Sequence, residues 1–375
     1  MALLIRMAGR DLCSSHDISQ RNSLLHQILE TDIAIIGAGP AGCAAAIAAA
    51  QADLRVALVE RLGFPRHRPG ETLPPGVEPL FRQLGVWDEI ESASFIRHPG
   101  HRVVWAGEAK FSGFGGTESE PWRGFQAWRP VLDAILLRRA TAVGVEVWQP
   151  CAAMSPVMRD GRILGVVTDQ GEVRARYLID ATGGGGWLAR KLGWVLEQRG
   201  PRLLASYGYI ETEQATEWFL PELHATTEGW VWMAQVLPRV VAWTQLSLDG
   251  QSGGRVSSRL AGLQDAQCLA VGGTSADVTW RLASNAAGPG YFLAGDAALV
   301  LDPASSHGVL RALISGIKAA HLSVQVCRNV LAEESAAAVY SSWVRAWFDH
   351  DADKLEGFYG QLATPPEWLA RRRRA

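Results

Sequence analysis

The stretch TDIAIIGAGPAG, residues 31–42, decides the fold. Its apolar run, Ile33 to Ile36, predicts a buried strand that enters Gly37-Ala38-Gly39-Pro40-Ala41-Gly42 directly, and the CAAAIAAAQA that follows is a strong helix former. Strand, G-x-G-x-x-G turn and helix form the first half of a dinucleotide-binding βαβ unit. Gly37 allows the tight turn, Gly39 lets backbone approach a pyrophosphate, and Gly42 lets the helix pack close to the strand. The free N–H groups at the helix start then face the phosphates. A second strand, LRVALVE, ends at Glu60, about 20 residues on, where an acidic side chain takes the ribose hydroxyls.

The bulk numbers bound the rest. A chain of 375 residues, 48% hydrophobic and 20% charged with a net charge of −2, is long enough for one large or two smaller cores and offers no nucleic-acid surface. The Arg371 to Arg374 run reads as a solvated tail. No apolar run reaches the roughly 18 residues of a membrane span. Residues 1–30 lack the sustained apolar core of a signal peptide and read as an extension. Five cysteines, odd in number and without a CxxC pair, argue against a disulfide framework or a metal site and fit a reducing cytoplasm. Fifteen tryptophans are enough to supply a core and to line a cleft for an aromatic guest.

Along the chain, RLGFPRHRPGETLPP after Glu60 is a loop with cations at Arg61, Arg66 and Arg68 and a histidine at His67, and a helix begins near Gly76. Residues 101–127 read as short strands, and WRPVLDAILLRRA as a helix with Pro130 at its start. Turns at Asp160-Gly161 and Gln170-Gly171 predict hairpins that lead into a strand ending in Asp180-Ala181-Thr182-Gly183. Residues 203–248, rich in aromatic and β-branched side chains, predict sheet with a turn at Leu237-Pro238-Arg239, and 249–275 is Gly/Ser-rich. A strand from Tyr291 to Ala294 runs into Gly295-Asp296, and DPASSHG, residues 302–308, opens a long helix. Residues beyond 331 read as one or two helices of mixed surface.

GAGPAG with Glu60, DATG at 180–183 and YFLAGDAALVLDP before a glycine and a helix resemble, as a set, the flavoprotein monooxygenase superfamily of the p-hydroxybenzoate hydroxylase fold. The GETLPP segment and the DP-x-SS-x-G turn look like its flavin-dependent tryptophan halogenase branch. They are also similar to the monooxygenase-type maturases that hydroxylate a protein tryptophan during tryptophylquinone formation in glycine and lysine oxidases. The resemblance implies an α/β fold: an FAD-binding Rossmann-like (GR2-type) domain with an inserted, mainly β substrate-binding domain and a C-terminal helical region. The expected division is an extension at 1–30, a discontinuous FAD-binding domain at 31–100, 129–200 and 285–330, a substrate-binding domain at 101–128 and 201–284, and C-terminal helices at 331–375. FAD would be held by Gly37, Gly39, Ala41, Gly42, Glu60, Arg61, Arg68, Arg129, Asp180, Gly183, Gly295, Asp296 and Gly308. Its electrons would come from NAD(P)H directly or through a separate flavin reductase.

Two departures favour hydroxylation within that group. The position matching the halogenase lysine is Pro79, and residues 61–109 contain no lysine. Trp230-Val231-Trp232 matches the start of the halogenase W-x-W-x-I-P, but Ala234 and Gln235 replace its Ile-Pro. The resemblance implies a flavin C4a-hydroperoxide attacked by an electron-rich aromatic, an indole or phenol, either free or carried by a partner protein. His67 and His307 are the base candidates, Ser306 shapes or touches the site, and Trp230 and Trp232 are candidate cleft walls. Halogenation of an indole or phenol and reduction of a double bond are the alternatives, with a flavin-bound docking protein as a non-enzymatic one.

Overall fold

The computed structural model describes residues 27–66, 68–105, 107–226, 229–248, 267–268 and 274–372. His67, the extension at 1–26, most of the Gly/Ser-rich 249–273 and the end of the basic run therefore lie outside the described residues. The first strand begins earlier than its apolar run, spanning Ile28–Ile36, and becomes fully buried from Ile33 onward. Val56–Val59 pairs with it in parallel on one side and Glu172–Asp180 on the other, so the order of strands reverses at this point. Glu146–Trp148 and Tyr291–Leu293 extend the parallel sheet at its two flanks. Such a reversal leaves a crevice at the carboxyl ends of the strands, and Gly37 stands at its mouth.

Local chemistry explains the pieces. The hairpin from Ala153–Arg159 to Arg162–Thr168 turns through Asp160 and Gly161, both at positive φ (51° and 77°), as a two-residue turn matched to strand twist requires. Helix α1 (Pro40–Ala50) has no polar stripe and is buried on nearly every side. Helix α2 (Arg129–Ala142) starts on Pro130 and packs beside it. Helix α3 (Gly308–Cys327) lies across α1 so closely that a Cβ on Gly316 would stand 2.1 Å from the Ala41 carbonyl oxygen.

A second sheet carries the aromatic segments. Its order is 267–268, Leu204–Glu211, Val240–Ser247, Gly229–Leu237, Glu222–Ala225, Gly100–Trp105 and Glu108–Gly113, and Thr274–Asp277 also pairs with Leu204–Glu211. A small sheet of Thr72–Leu73, Gly124–Gln126 and Ile96–His98 ties the GETLPP segment to it. Helix α4 (Glu333–Tyr359) buries Ala336, Tyr340, Val344, Phe348, Asp351, Ala352, Leu355 and Tyr359 at helical spacing. That stripe is apolar except for the carboxylate of Asp351 and the phenol hydroxyls. A short helix, Glu367–Arg372, follows. Among the described residues no helix is long and apolar enough to cross a membrane, and no cluster of ligating side chains could hold a metal ion.

Candidate active site

The glycine turn is built as its sequence demands. Gly37 has φ +98°, and a Cβ there would stand 2.6 Å from the Ala181 carbonyl oxygen; on Gly42 it would fall 1.8 Å from that of Gly37. Gly39 is different, since only the Arg66 guanidinium, at 3.5 Å, lies over it. Glu60, 3% exposed, accepts from the Ala38 N–H at 2.8 Å and from the Leu62 N–H at 2.9 Å, so its carboxylate locks the turn to the second strand. Arg66 is 3.2 Å from that carboxylate and 3.7 Å from Asp133 of α2. Its Nε is buried and has no hydrogen-bond partner among the described residues. A half-satisfied cation over a glycine, facing a helix N-terminus, is completed by a phosphate oxygen. The turn and its surroundings therefore fit the pyrophosphate of a dinucleotide. Arg66 is the cation that the sequence did not single out. Arg61 is exposed, and Arg68 is half-buried with its carbonyl accepting from the Tyr209 hydroxyl at 3.3 Å.

Three segments converge next to this turn. Arg129, 7% exposed, is held by Asp133 at 2.9 and 3.1 Å and donates to the Pro69 carbonyl at 2.6 Å. Burial works against the Arg129 cation, and Asp133 more than offsets it. A Cβ on Gly70 would meet both Arg129 and Val309 of α3, which places the GETLPP segment, α2 and the start of α3 at one point. Glu71 accepts from the Tyr209 hydroxyl and from the Gly70 N–H. Its burial raises the carboxyl above the usual range, despite that hydroxyl and the Arg129 charge.

The opposite wall is the 295–311 segment. Gly295, at φ +61°, packs its Cα side against Ala41 and Ala312. Asp296 is exposed to solvent yet hemmed in by protein, as a side chain on a cleft wall is; desolvation raises its carboxyl against the Arg311, Arg129 and Arg281 charges. Asp302 is wholly buried, accepts from Trp280 Nε1–H at 2.8 Å and the Ala304 N–H at 3.0 Å, and is pushed up to about 6 by burial. Ser306 is exposed and sits in the left-handed region at φ +52°. His307 caps α3, with Nδ1 3.0 Å from Asp351 of α4. Gly308 is open, for a Cβ there would meet nothing within 4 Å. Arg311, 2% exposed, lies 3.5 Å from Asp351, and its Nε has no hydrogen-bond partner among the described residues.

The remaining candidates divide. Asp180 is wholly buried, and its oxygens accept from the Thr182 N–H at 2.9 Å and the Leu188 N–H at 2.7 Å, so it braces the loop around Gly183. Trp230 is also wholly buried and donates to the Tyr359 hydroxyl at 2.9 Å, which makes it a core residue. Trp232 is half-buried, near the ring of His101, and donates to Thr72 Oγ1 at 3.2 Å. Thr72 donates on to Gln126 Oε1 at 2.9 Å, whose Nε2 lies 3.1 Å from His98 Nε2. His98 closes the chain, with Nδ1 2.7 Å from the Gly100 carbonyl. A carbonyl only accepts, so Nδ1 carries the proton; burial lowers this imidazole to about 4 and keeps it neutral.

Comparisons with known proteins bear on the family and the fold. A family model of FAD dependent oxidoreductases matches residues 32–193. The flavin-dependent halogenase armH3 of Armillaria mellea is 28% identical over 390 residues, covering 89% of this chain and 75% of that protein. Tryptophan 2-halogenase of Chondromyces crocatus is 27% identical over 368 residues (88% and 68%), and the menaquinone reductase of Mycolicibacterium smegmatis 29% over 330 residues (78% and 76%). Among solved structures, the myxobacterial chondrochloren halogenase CndH superposes with a TM-score of 0.81 at 23% identity, over 92% of this chain and 86% of its own. QhpG, a peptidyl tryptophan dihydroxylase essential for tryptophylquinone biogenesis, superposes with a TM-score of 0.70 at 21% identity, over 92% and 79%. At such identity the superpositions carry the fold alone.

Proposed function

We propose that this chain, an FAD-dependent oxidoreductase by its relatives, is a monooxygenase that hydroxylates an electron-rich aromatic ring, the favoured substrate being a tryptophan side chain on a partner protein. The observation that carries hydroxylation over halogenation is the placement of its lysines. All four are described: Lys110, Lys191 and Lys354 are exposed, and Lys318 lies over the Trp343 ring. Pro79, where a halogenase-like lysine is expected, sits exposed on the first turn of the Glu78–Leu84 helix. The proline at that position supports hydroxylation over a lysine-mediated halogenation.

Bound and reduced FAD supplies the electrons that activate dioxygen. Arg66 and the glycine turn would hold its pyrophosphate, and Asp296 would meet its sugar side. The start of α3 would face the flavin ring, where a helix N-terminus stabilises negative charge. Trp232 has its N–H committed to Thr72, so its half-exposed face is left for stacking against an aromatic guest. Electrons would arrive from NAD(P)H directly or through a separate reductase.

The test bypasses that question. FAD-loaded protein is reduced chemically and admitted to air with chloride present, with free tryptophan and a tryptophan-containing peptide offered in parallel. Oxygen added to the peptide is the expected result. A chlorinated product would overturn hydroxylation in favour of the halogenase chemistry of the relatives. Saturation of an isoprenoid quinone under anaerobic conditions would move the assignment to the reductases.

A further inference from the structure

We propose that Asp351 is a positioning residue that fixes His307 as the proton acceptor of the cleft, an inference that rests on the aromatic chemistry proposed above. The His307 ring is 34% exposed and its Nδ1 edge faces Asp351, which is 3% exposed. The open part of the ring is therefore the opposite edge, with Nε2. A carboxylate only accepts, so Nδ1 carries a proton, and in the neutral imidazole the lone pair is then on Nε2. Asp351 does not swing, because the same oxygen accepts from Trp347 Nε1–H at 2.9 Å and lies 3.5 Å from Arg311. Burial works to raise the Asp351 carboxyl, and the bond and charge of His307, the bond from Trp347 and the Arg311 charge outweigh it and hold it below the usual range. Ser306, the residue before it, is held in the left-handed region at φ +52°.

A second set of contacts pins the same segment. The Tyr359 hydroxyl reaches Asp302 while accepting from Trp230, and Arg199 clamps Glu356 at 2.9 Å. Helix α4 thus grips the 302–311 segment at both its ends. Asp351 of α4 faces the imidazole, and Arg311 of α3, beside that carboxylate, interacts in turn with Asp296 and Asp302.

The step balances as follows. Once a ring carbon has bonded an oxygen atom from dioxygen, its C–H bond breaks. The proton passes to Nε2, and the electron pair returns to the ring and restores aromaticity. The other oxygen atom leaves as water with the electrons of the reduced flavin. The new imidazolium lies against Asp351 until its proton escapes over the exposed edge. The same step completes a halogenation, so the dyad does not depend on which group is added.

The first measurement needs no substrate. In full-length protein labelled with ¹⁵N-histidine, the resonances lost in His307→Gln identify the residue. The expected signature, read in the neutral form of the ring, is a protonated Nδ1 and an imine-type Nε2. A protonated Nε2 would overturn the proposal, whatever the enzyme acts on. With an accepted aromatic, His307→Gln is expected to lower kcat by roughly 10²- to 10⁴-fold with KM little changed. Asp351→Asn keeps an acceptor but removes the charge that balances Arg311. It should lower kcat by about tenfold and move the acidic limb of the pH profile to lower pH. A loss of thermal stability with kcat and that limb unchanged would make Asp351 merely structural and overturn the proposal. If wild-type protein modifies no aromatic, the function proposed above fails, and the tautomer still decides the dyad.

Discussion

Above Gly39 a single guanidinium occupies the place of a phosphate partner. Arg66 already meets Glu60 through Nη1 and faces Asp133 through Nε, which leaves Nη2 over Gly39. A charge-assisted bond of this kind contributes about 1.5–3 kcal/mol. Arg66→Met is therefore expected to weaken FAD binding by roughly ten- to a hundredfold, read by flavin fluorescence titration, while Arg61→Ala leaves it unchanged. Gly42→Ala would thrust a Cβ to 1.8 Å from the Gly37 oxygen and should abolish flavin retention. The glycines were legible because their constraint is local: strand, turn and helix adjoin. Arg66 was not, because Arg61, Arg66, His67 and Arg68 look alike in one basic loop. What selects Arg66 is Asp133, on a helix that the fold alone brings near.

At the scale of elements, the long pieces were readable and the short ones were not. The alanine-rich α1 and the two hairpins before Asp180 announce themselves by composition and turn chemistry. The sheet of Thr72–Leu73, Gly124–Gln126 and Ile96–His98 has strands too short to show any periodicity. Yet it holds the relay that orients Trp232. Its neutral His98 makes a prediction about pH. An unfolded histidine titrates near 6.5, and burial lowers His98 to about 4, so the folded state resists the proton that the unfolded chain takes. The stabilisation is present above about pH 6.5 and is lost as pH falls toward 4, amounting to about 3 kcal/mol. Urea unfolding of wild type and His98→Gln at pH 7, 5 and 4 should show this slope in the wild type and its loss in the variant. Helix α4 gave the opposite difficulty. Its surface pattern was plain, but Asp351 within a buried stripe has meaning only beside His307.

For the whole molecule, the crevice at the strand reversal collects segments from four parts of the chain: the glycine turn, Gly70–Glu71, Arg129 and 295–311. The sequence and the resemblance it carries name the glycine turn, Arg129 and Gly295–Asp296, and packing adds Gly70 and Glu71. Because these segments meet at one place, bound FAD should stiffen them together and leave the distant sheet alone. Hydrogen exchange with and without FAD is expected to slow at 37–42, 66–72 and 295–312, with Leu204–Glu211 and Val240–Ser247 unchanged. At about a hundredfold excess over its dissociation constant, FAD should add about 2.7 kcal/mol to stability. Equal protection across both sheets would mean that the second sheet closes on the cofactor as well.

The grip of α4 on the 302–311 segment has a consequence for how the protein is made. Translation runs from the glycine turn toward Asp351, so the parts that fit flavin emerge well before the residue that orients His307. A ribosome-bound or clipped chain that stops short of Asp351 would carry the nucleotide cradle without its acid–base partner.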